Sequence, residues 1–259
     1  SMALEVTLSN MTDNASDTLP EIILTRPQKA AQEFSDQIRA VLPMARIILS
    51  PLLQIKFIKP TFDLNTFVGV IFTSANGVEA MVNCEIPKNM PCFAVGPKTA
   101  EKAENLGFVV TESSGNADDL IALILSRPSF GRLLHISGEH TRGNIASRLE
   151  QAGQSCTHAI AYQQEALSLS PQALASFKRG KPVILPLFSP RTAQLLMAQD
   201  VPLEHSHMIA LSEAVAEPFK DIKLSSLTVA EAPNSDAVLN NLISVFQFIS
   251  SLEAPNGDT

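Results

Sequence analysis

Residues 70–81 read VIFTSANGVEAM, an apolar run that passes through Thr73 and Ser74 into a helix-like pattern. A serine at such a strand-to-helix junction, followed by Asn76, faces outward with the first free backbone N–H groups, where an anion or another polar ligand would be held. The plainer reading is that Ser74 only caps its own helix, because serine is a favoured N-cap. Thr99, shortly after Gly96, repeats the device, and Ser189 with Ser212 offers a counterpart later in the chain. Tyr162 is the only tyrosine. A phenol carries its proton at neutral pH and can pass it, or a hydrogen bond, to a leaving hydroxyl; the alternative is an aromatic that packs at a strand end. Arg26, Lys98, Arg142 and Arg191 lie near the ends of apolar runs and could pair with carboxylates, although solvation at the surface is the commoner fate of such side chains. The chemistry on offer is capture of acidic groups and proton donation. No GxGxxG dinucleotide loop and no defensible Ser-His-Asp spacing accompanies it.

The bulk composition narrows the partners. A net charge of -7 argues against nucleic acid, which asks for a basic face, so an acidic ligand would have to be held by local donors. Cys84, Cys92 and Cys156 are odd in number and show no CxxC spacing; they suit buried thiols in a reducing cytoplasm rather than disulfides or a zinc site. His205 and His207 stand in a polar stretch without further ligands nearby, and no metal is expected. No apolar run approaches the roughly 18 residues of a membrane span. Residues 1–19 are polar, with neither a basic start nor a long apolar centre, and are expected to form a flexible tail.

The elements that must position these side chains alternate along the chain. With 259 residues, 45% of them hydrophobic, the chain can bury a real core and suits two domains better than one. Candidate strands are EIILT from 21, ARIILS from 45, FVGVIFTS from 67, CFAVG from 92 and FVVTE from 108. LLHIS from 133, AIAYQ from 159, PVILPLF from 182, HMIALS from 207 and SLTVAE from 226 follow. Between them Phe34, Ile38 and Val41 recur at helical spacing, as do Ile145, Leu149 and Ala152, with Gly153 placed as a C-cap. This alternation predicts an α/β fold with parallel sheets. Pro186 inside an apparent strand predicts an edge or a bulge there.

The second half repeats the first. FTSANGVEAM from 72 answers to FSPRTAQLLM from 188, and the segment from Phe93 to Ile124 answers to that from Met208 to Ile243, with Val110, Glu112 and Leu120 matching Val229, Glu231 and Leu239. EIILTRP from 21 likewise resembles LLHISGE from 133. Three segments in one order imply two lobes built on one plan. Ligands of open α/β sheets lie outside the carboxyl ends of the strands, so the expected site is a cleft between the lobes.

LTRP at 24–27, FTSANGV at 72–78, AVGPKTAEKAENLGF at 94–108, HISGEHTRGNIASRLEQAG at 135–153, AIAYQ at 159–163 and FSPRTA at 188–193 together resemble the uroporphyrinogen-III synthase family. The resemblance spans roughly residues 20–250 and rests on the order of many short motifs. It implies two similar lobes, each a parallel sheet flanked by helices, joined by two extended connectors near Pro51–Ile55 and Tyr162–Ala166. Lobe 1 would be discontinuous, residues 20–51 plus 167–259, with lobe 2, residues 52–166, inserted. It also implies a substrate, the linear tetrapyrrole hydroxymethylbilane with its eight carboxylates. In the implied reaction the terminal hydroxyl leaves and the macrocycle closes, the last pyrrole ring being inverted through a spiro intermediate to give uroporphyrinogen III. Positioning would do most of this work, without cofactor. The resemblance makes Tyr162 the catalytic candidate and Arg26, Ser74, Asn76, Lys98, Thr99, Gly138, Arg142, Ser189 and Ser212 the substrate-binding candidates. A monomeric cytoplasmic enzyme is expected, with no nucleic-acid or membrane partner. The residues 209–212, IALS, lack the glycine that many family members carry there, so that side of the site departs from the pattern. The alternative is a two-lobed protein that only binds a small acidic ligand, or a degenerate synthase that keeps the fold without turnover.

Overall fold

The computed structural model describes residues 19–129, 131–141 and 143–253. The expected tail at 1–19 therefore lies, except for Leu19, outside the described residues, and so does Arg142. Internal contacts divide the chain into two compact units, residues 1–54 with 166–259 and residues 55–165.

The first unit holds β1 (Glu21–Leu24), α1 (Gln28–Val41), β2 (Arg46–Leu49), α6 (Pro171–Lys178), β9 (Val183–Leu187), α7 (Pro190–Met197), β10 (Ser206–Ala210), α8 (Glu213–Ala216), β11 (Ser226–Val229) and α9 (Ser235–Glu253). Its sheet runs β11-β10-β9-β1-β2, and the paired strands are parallel. The second unit holds β4 (Gly69–Phe72), α2 (Ala75–Glu79), β5 (Pro91–Val95), α3 (Pro97–Asn105), β6 (Val109–Ser113), α4 (Ala117–Leu125), β7 (Leu133–Gly138) and α5 (Ile145–Gln151). Two more strands, β3 (Leu53–Phe57) and β8 (Cys156–Ala166), include the residues at which the chain passes from one unit to the other. The second sheet runs β3-β8-β7-β4-β5-β6.

The central strands alternate between two cores because successive side chains leave opposite faces of a sheet. Ile23 joins Leu185, Phe177 and Leu196 on one face of the first sheet, whereas Ile22 and Leu24 join Phe34, Ile38 and Leu242 on the other. In the second sheet Val70 and Phe72 pack with Leu134, Ile136 and Ala103, while Ile71 packs with Leu133, Ile121 and Leu149. Burial on both faces is why the strands read as near-continuous apolar runs. The two sheets also share a plan: β8-β7-β4-β5-β6 has the same spatial order as β2-β1-β9-β10-β11, and the repeated segments of sequence fall on corresponding strands.

All ten expected strands are present, and an eleventh, β3, adds to them. Its sequence LQIKF reads as connector because Gln54 and Lys56 interrupt it, which is also what a sheet-edge strand shows. The reading of Pro186 is corrected. It lies in β9, between β10 and β1, and not at an edge. The Val183 amide donates to the His205 carbonyl and the Leu187 carbonyl accepts from Leu211, so odd-numbered residues of β9 face β10 and Pro186 faces β1. The ladder between β1 and β9 pairs only Glu21 with Val183 and Ile22 with Ile184, and it ends before the missing N–H would be needed. Val41, expected on the buried stripe of α1, is half exposed, whereas Phe34 and Ile38 are buried. Gly153 ends α5 with φ +87, the left-handed conformation expected of its C-cap position.

Candidate active site

In the second unit Ser74, Asn76, Gly138 and Tyr162 lie at the carboxyl edge of the sheet, where the strand order reverses between β7 and β4. In an open α/β sheet this is where side chains from neighbouring strand ends converge on a ligand. Ser74 follows β4 and starts α2. Its side chain makes no cap bond; instead Oγ lies 2.9 Å from the Tyr162 hydroxyl, and either atom can donate. The plainer reading, a serine occupied in capping, does not describe it. Asn76 is half-buried in the first turn of the same helix, which at five residues is too short for a substantial dipole.

Tyr162 reaches Ser74 because of an irregularity in β8. Leu133 through Ser137 pair in step with Cys156 through Ile160, but Gly138 then stands opposite Tyr162 rather than Ala161. Such a bulge re-aims a side chain. Ala161 and Tyr162, consecutive in a strand, are accordingly both buried and both belong to the core that contains Phe72. The ring meets Phe57 edge-on at a centroid distance of 6.5 Å, and only its hydroxyl end is bound to a polar group, Ser74. Gly138 gives the ring its place. A Cβ at that position would lie 2.6 Å from Tyr162 Cε2 and 2.9 Å from Cζ.

The remaining candidates are placed differently. Lys98 is exposed at the start of α3, and Thr99 beside it is buried, 6% exposed, so it does not repeat the half-buried position of Ser74. In the first unit Ser189 caps α7 conventionally, accepting from the Thr192 amide at 3.1 Å while donating to Thr192 Oγ1 at 2.8 Å. Ser212 starts α8 with no side-chain cap bond and is half-buried. Arg26 follows β1, and its guanidinium carbon sits 3.9 Å from the centroid of the Phe188 ring, which follows the adjacent β9. Partial burial lowers the Arg26 pKa from its ordinary value, and the nearby Glu33 opposes the shift.

Sequence reasoning passed over His135 and His158. They face each other across β7 and β8, with ring centroids 5.3 Å apart and an interplanar angle of 30°. The pairing was detectable only once the two strands were known to be adjacent and in register. His135 Nε2 lies 3.1 Å from Thr73 Oγ1, and His158 Nε2 lies 2.5 Å from Ser137 Oγ. Burial, reinforced by the neighbouring His158, pushes the His135 pKa down to about 3; burial also lowers that of His158. A histidine depressed in the folded state leaves the unfolded chain binding more protons between about pH 3 and 6.5, so stability falls as pH drops through that window. We expect His135→Gln to lose less stability than the parent between about pH 7 and 4 in urea unfolding. Equal losses would show that His135 is not held neutral.

The cysteines are free, with Cys92 and Cys156 buried and Cys84 half-buried. Desolvation raises the two buried thiols to about 12 and about 11, which leaves them unreactive. Among the described residues no group of three or more His, Cys, Asp or Glu is arranged to hold a metal, and no helix is long and apolar enough to cross a membrane.

Comparison with known proteins bears on the family and the fold. The chain is similar to the uroporphyrinogen-III synthetase of Helicobacter pylori 26695, with a TM-score of 0.62 and 17% identity over 88% of this chain and 100% of that one. It is also similar to a mutant uroporphyrinogen III synthase of the extremely thermophilic bacterium Thermus thermophilus, with a TM-score of 0.54 and 12% identity over 88% and 99%. At these identities the likeness is one of fold: two α/β units with parallel sheets flanked by helices. No curated protein sequence matches the chain significantly. The family signature described as "Uroporphyrinogen-III synthase HemD" matches residues 35–240, most of the chain and both units, and the chain therefore belongs to the uroporphyrinogen-III synthase HemD family.

Proposed function

We propose that the chain converts hydroxymethylbilane to uroporphyrinogen III, with the hydroxyl pair of Ser74 and Tyr162 serving the departure of the substrate's terminal hydroxyl. The observation that carries this reading is the 2.9 Å contact between Ser74 Oγ and Tyr162 OH at the carboxyl edge of the second sheet, made by a serine free of capping duty. The phenol gives its proton to the leaving oxygen, the carbon–oxygen bond breaks with its electron pair on that oxygen, and water departs. Ser74 then donates to the phenolate oxygen left behind, so the charge is met by a hydrogen bond already in place. The buried ring, seated on Gly138, sets where the hydroxyl lies.

Asn76 and Lys98, on the same edge, are assigned to substrate carboxylates. In the first unit Arg26, whose guanidinium carbon sits 3.9 Å from the centroid of the Phe188 ring, and Ser212 are further candidates for binding carboxylates. Thr99 and Ser189 are left to structure by their burial and their cap bonds. We place the enzyme in the cytoplasm, acting as a monomer on its small-molecule substrate.

The test is product identity. Purified protein supplied with hydroxymethylbilane, without added metal or cofactor, is expected to yield the type III isomer at a rate unaffected by chelator. Accumulation of the type I isomer alone, at the rate seen without protein, would favour the alternative of a binding protein or a synthase without turnover.

A further inference from the structure

The hydroxyl pair is backed by a second polar layer. Strand alternation sends Phe72 and Ser74 to the face where Tyr162 packs, and Ile71 and Thr73 to the other face, with His135. On that second face Thr73 Oγ1 meets His135 Nε2 at 3.1 Å, His135 stacks on His158, and His158 Nε2 meets Ser137 Oγ. Thr73 immediately precedes Ser74, and Ser137 immediately precedes Gly138. Ser74, which meets the Tyr162 hydroxyl, and Gly138, which lies against its ring, thus each follow a hydroxyl residue tied to an imidazole.

The tie at Thr73 falls between the end of the strand ladder and the start of the helix, where the Ser74 carbonyl accepts from the Gly77 amide. The ladder of β4 with β7 ends at Ile71 and His135, and that with β5 ends at Phe72 and Ala94. Helix α2 begins only at Ala75. Thr73 and Ser74 therefore lie between the last rung and the first turn, and Ser74 has no cap bond to fix its side chain. His135, in contrast, sits on a strand with neighbours on both sides and is 1% exposed.

We propose that His135 is a positioning residue for the reaction: through Thr73 it sets the backbone of the β4–α2 junction so that Ser74 Oγ meets the Tyr162 hydroxyl. The proposal rests on the reading of Ser74 and Tyr162 as the reacting pair. A neutral imidazole suits the task, because it offers one donor and one acceptor nitrogen and does not change charge near neutral pH.

Three variants test it. His135→Leu removes the hydrogen bond from one end, Thr73→Val removes it from the other with shape nearly kept, and His135→Gln retains a polar group in its place. We expect His135→Leu and Thr73→Val each to lower kcat by about tenfold with KM within about twofold, the pattern of an interaction that matters in the transition state. The double variant should be no worse than either single one, and His135→Gln should recover most of the loss. In a Tyr162→Phe background His135→Leu should add nothing.

A second readout is independent of turnover. The chain has one tyrosine and no tryptophan, so its near-ultraviolet absorbance and fluorescence report on the Tyr162 phenol with only the phenylalanines beside it. That signal should change in Thr73→Val as it does in Ser74→Ala. Full kcat with an unchanged tyrosine signal in folded Thr73→Val would overturn the proposal. A changed signal while Tyr162→Phe keeps full turnover would support the positioning and reject the catalytic reading of Tyr162, so the two failures are separable.

Discussion

Tyr162→Phe is expected to lower turnover by roughly 10- to 100-fold while leaving substrate affinity nearly intact, a loss of about 1.4–2.7 kcal/mol of transition-state stabilisation. The direction follows from what the substitution removes. The ring, its contact with Phe57 and its seat on Gly138 all remain, and only the hydroxyl facing Ser74 is lost. A group that meets the substrate only as its hydroxyl departs contributes to kcat and little to KM. Losing one partly buried hydrogen bond should cost about 1 kcal/mol of stability, so a melting curve separates damage to the fold from damage to the chemistry. Steady-state kinetics with hydroxymethylbilane checks the prediction, and a raised KM with kcat unchanged would move Tyr162 from proton donor to binding contact.

Gly138→Ala is expected to do at least as much harm to turnover through a residue with no functional group of its own. Its Cβ would lie 2.6 Å from Tyr162 Cε2 and 2.9 Å from Cζ, closer than real carbons approach. The atoms in its way belong to a buried ring in a strand rather than to the free end of a flexible chain, so the ring must be displaced as a whole. Such overpacking costs about 1–3 kcal/mol of stability, and the hydroxyl leaves Ser74 as the ring moves. The discriminating measurement is the double variant. If the alanine acts by moving the phenol, Gly138→Ala adds little to the turnover loss of Tyr162→Phe; a further large drop would show that Gly138 has another role at the strand end.

How much of this was legible in the sequence depends on the distance over which each feature is decided. The α/β layering was legible because strands buried on both faces read as apolar runs whatever their order, and the two-lobed plan was visible in the matching of Val110, Glu112 and Leu120 to Val229, Glu231 and Leu239. Strand β3 was not, since LQIKF with its exposed polar residues looks the same in a connector and at a sheet edge. Pro186 misled because the sequence does not say which neighbour a residue of β9 faces; only the register shows that its missing donor falls beyond the end of a ladder. At the site, Ser74 and Tyr162 were each visible as chemistry at a strand end, but their contact joins residues 88 positions apart. It depends on a one-residue slip in β8 that no local pattern announces. His135 and His158 stayed hidden for the same reason, as two ordinary histidines until adjacent strands brought their rings together. Thr99 and Ser74 differ in a way that position along the helix decides: Ser74 precedes its helix and is half-buried, whereas Thr99 lies inside the first turn of its own and is buried.

In the proposed reaction the Tyr162 phenol gives up a proton as the substrate hydroxyl leaves. Because the chain has a single tyrosine, growth on fluorinated tyrosines would change the acidity at position 162 alone. Single-turnover rates of ring closure, measured at a pH where every phenol in the series stays protonated, should rise as the phenol becomes more acidic. A rate that does not respond to phenol acidity across the series would contradict proton donation by Tyr162.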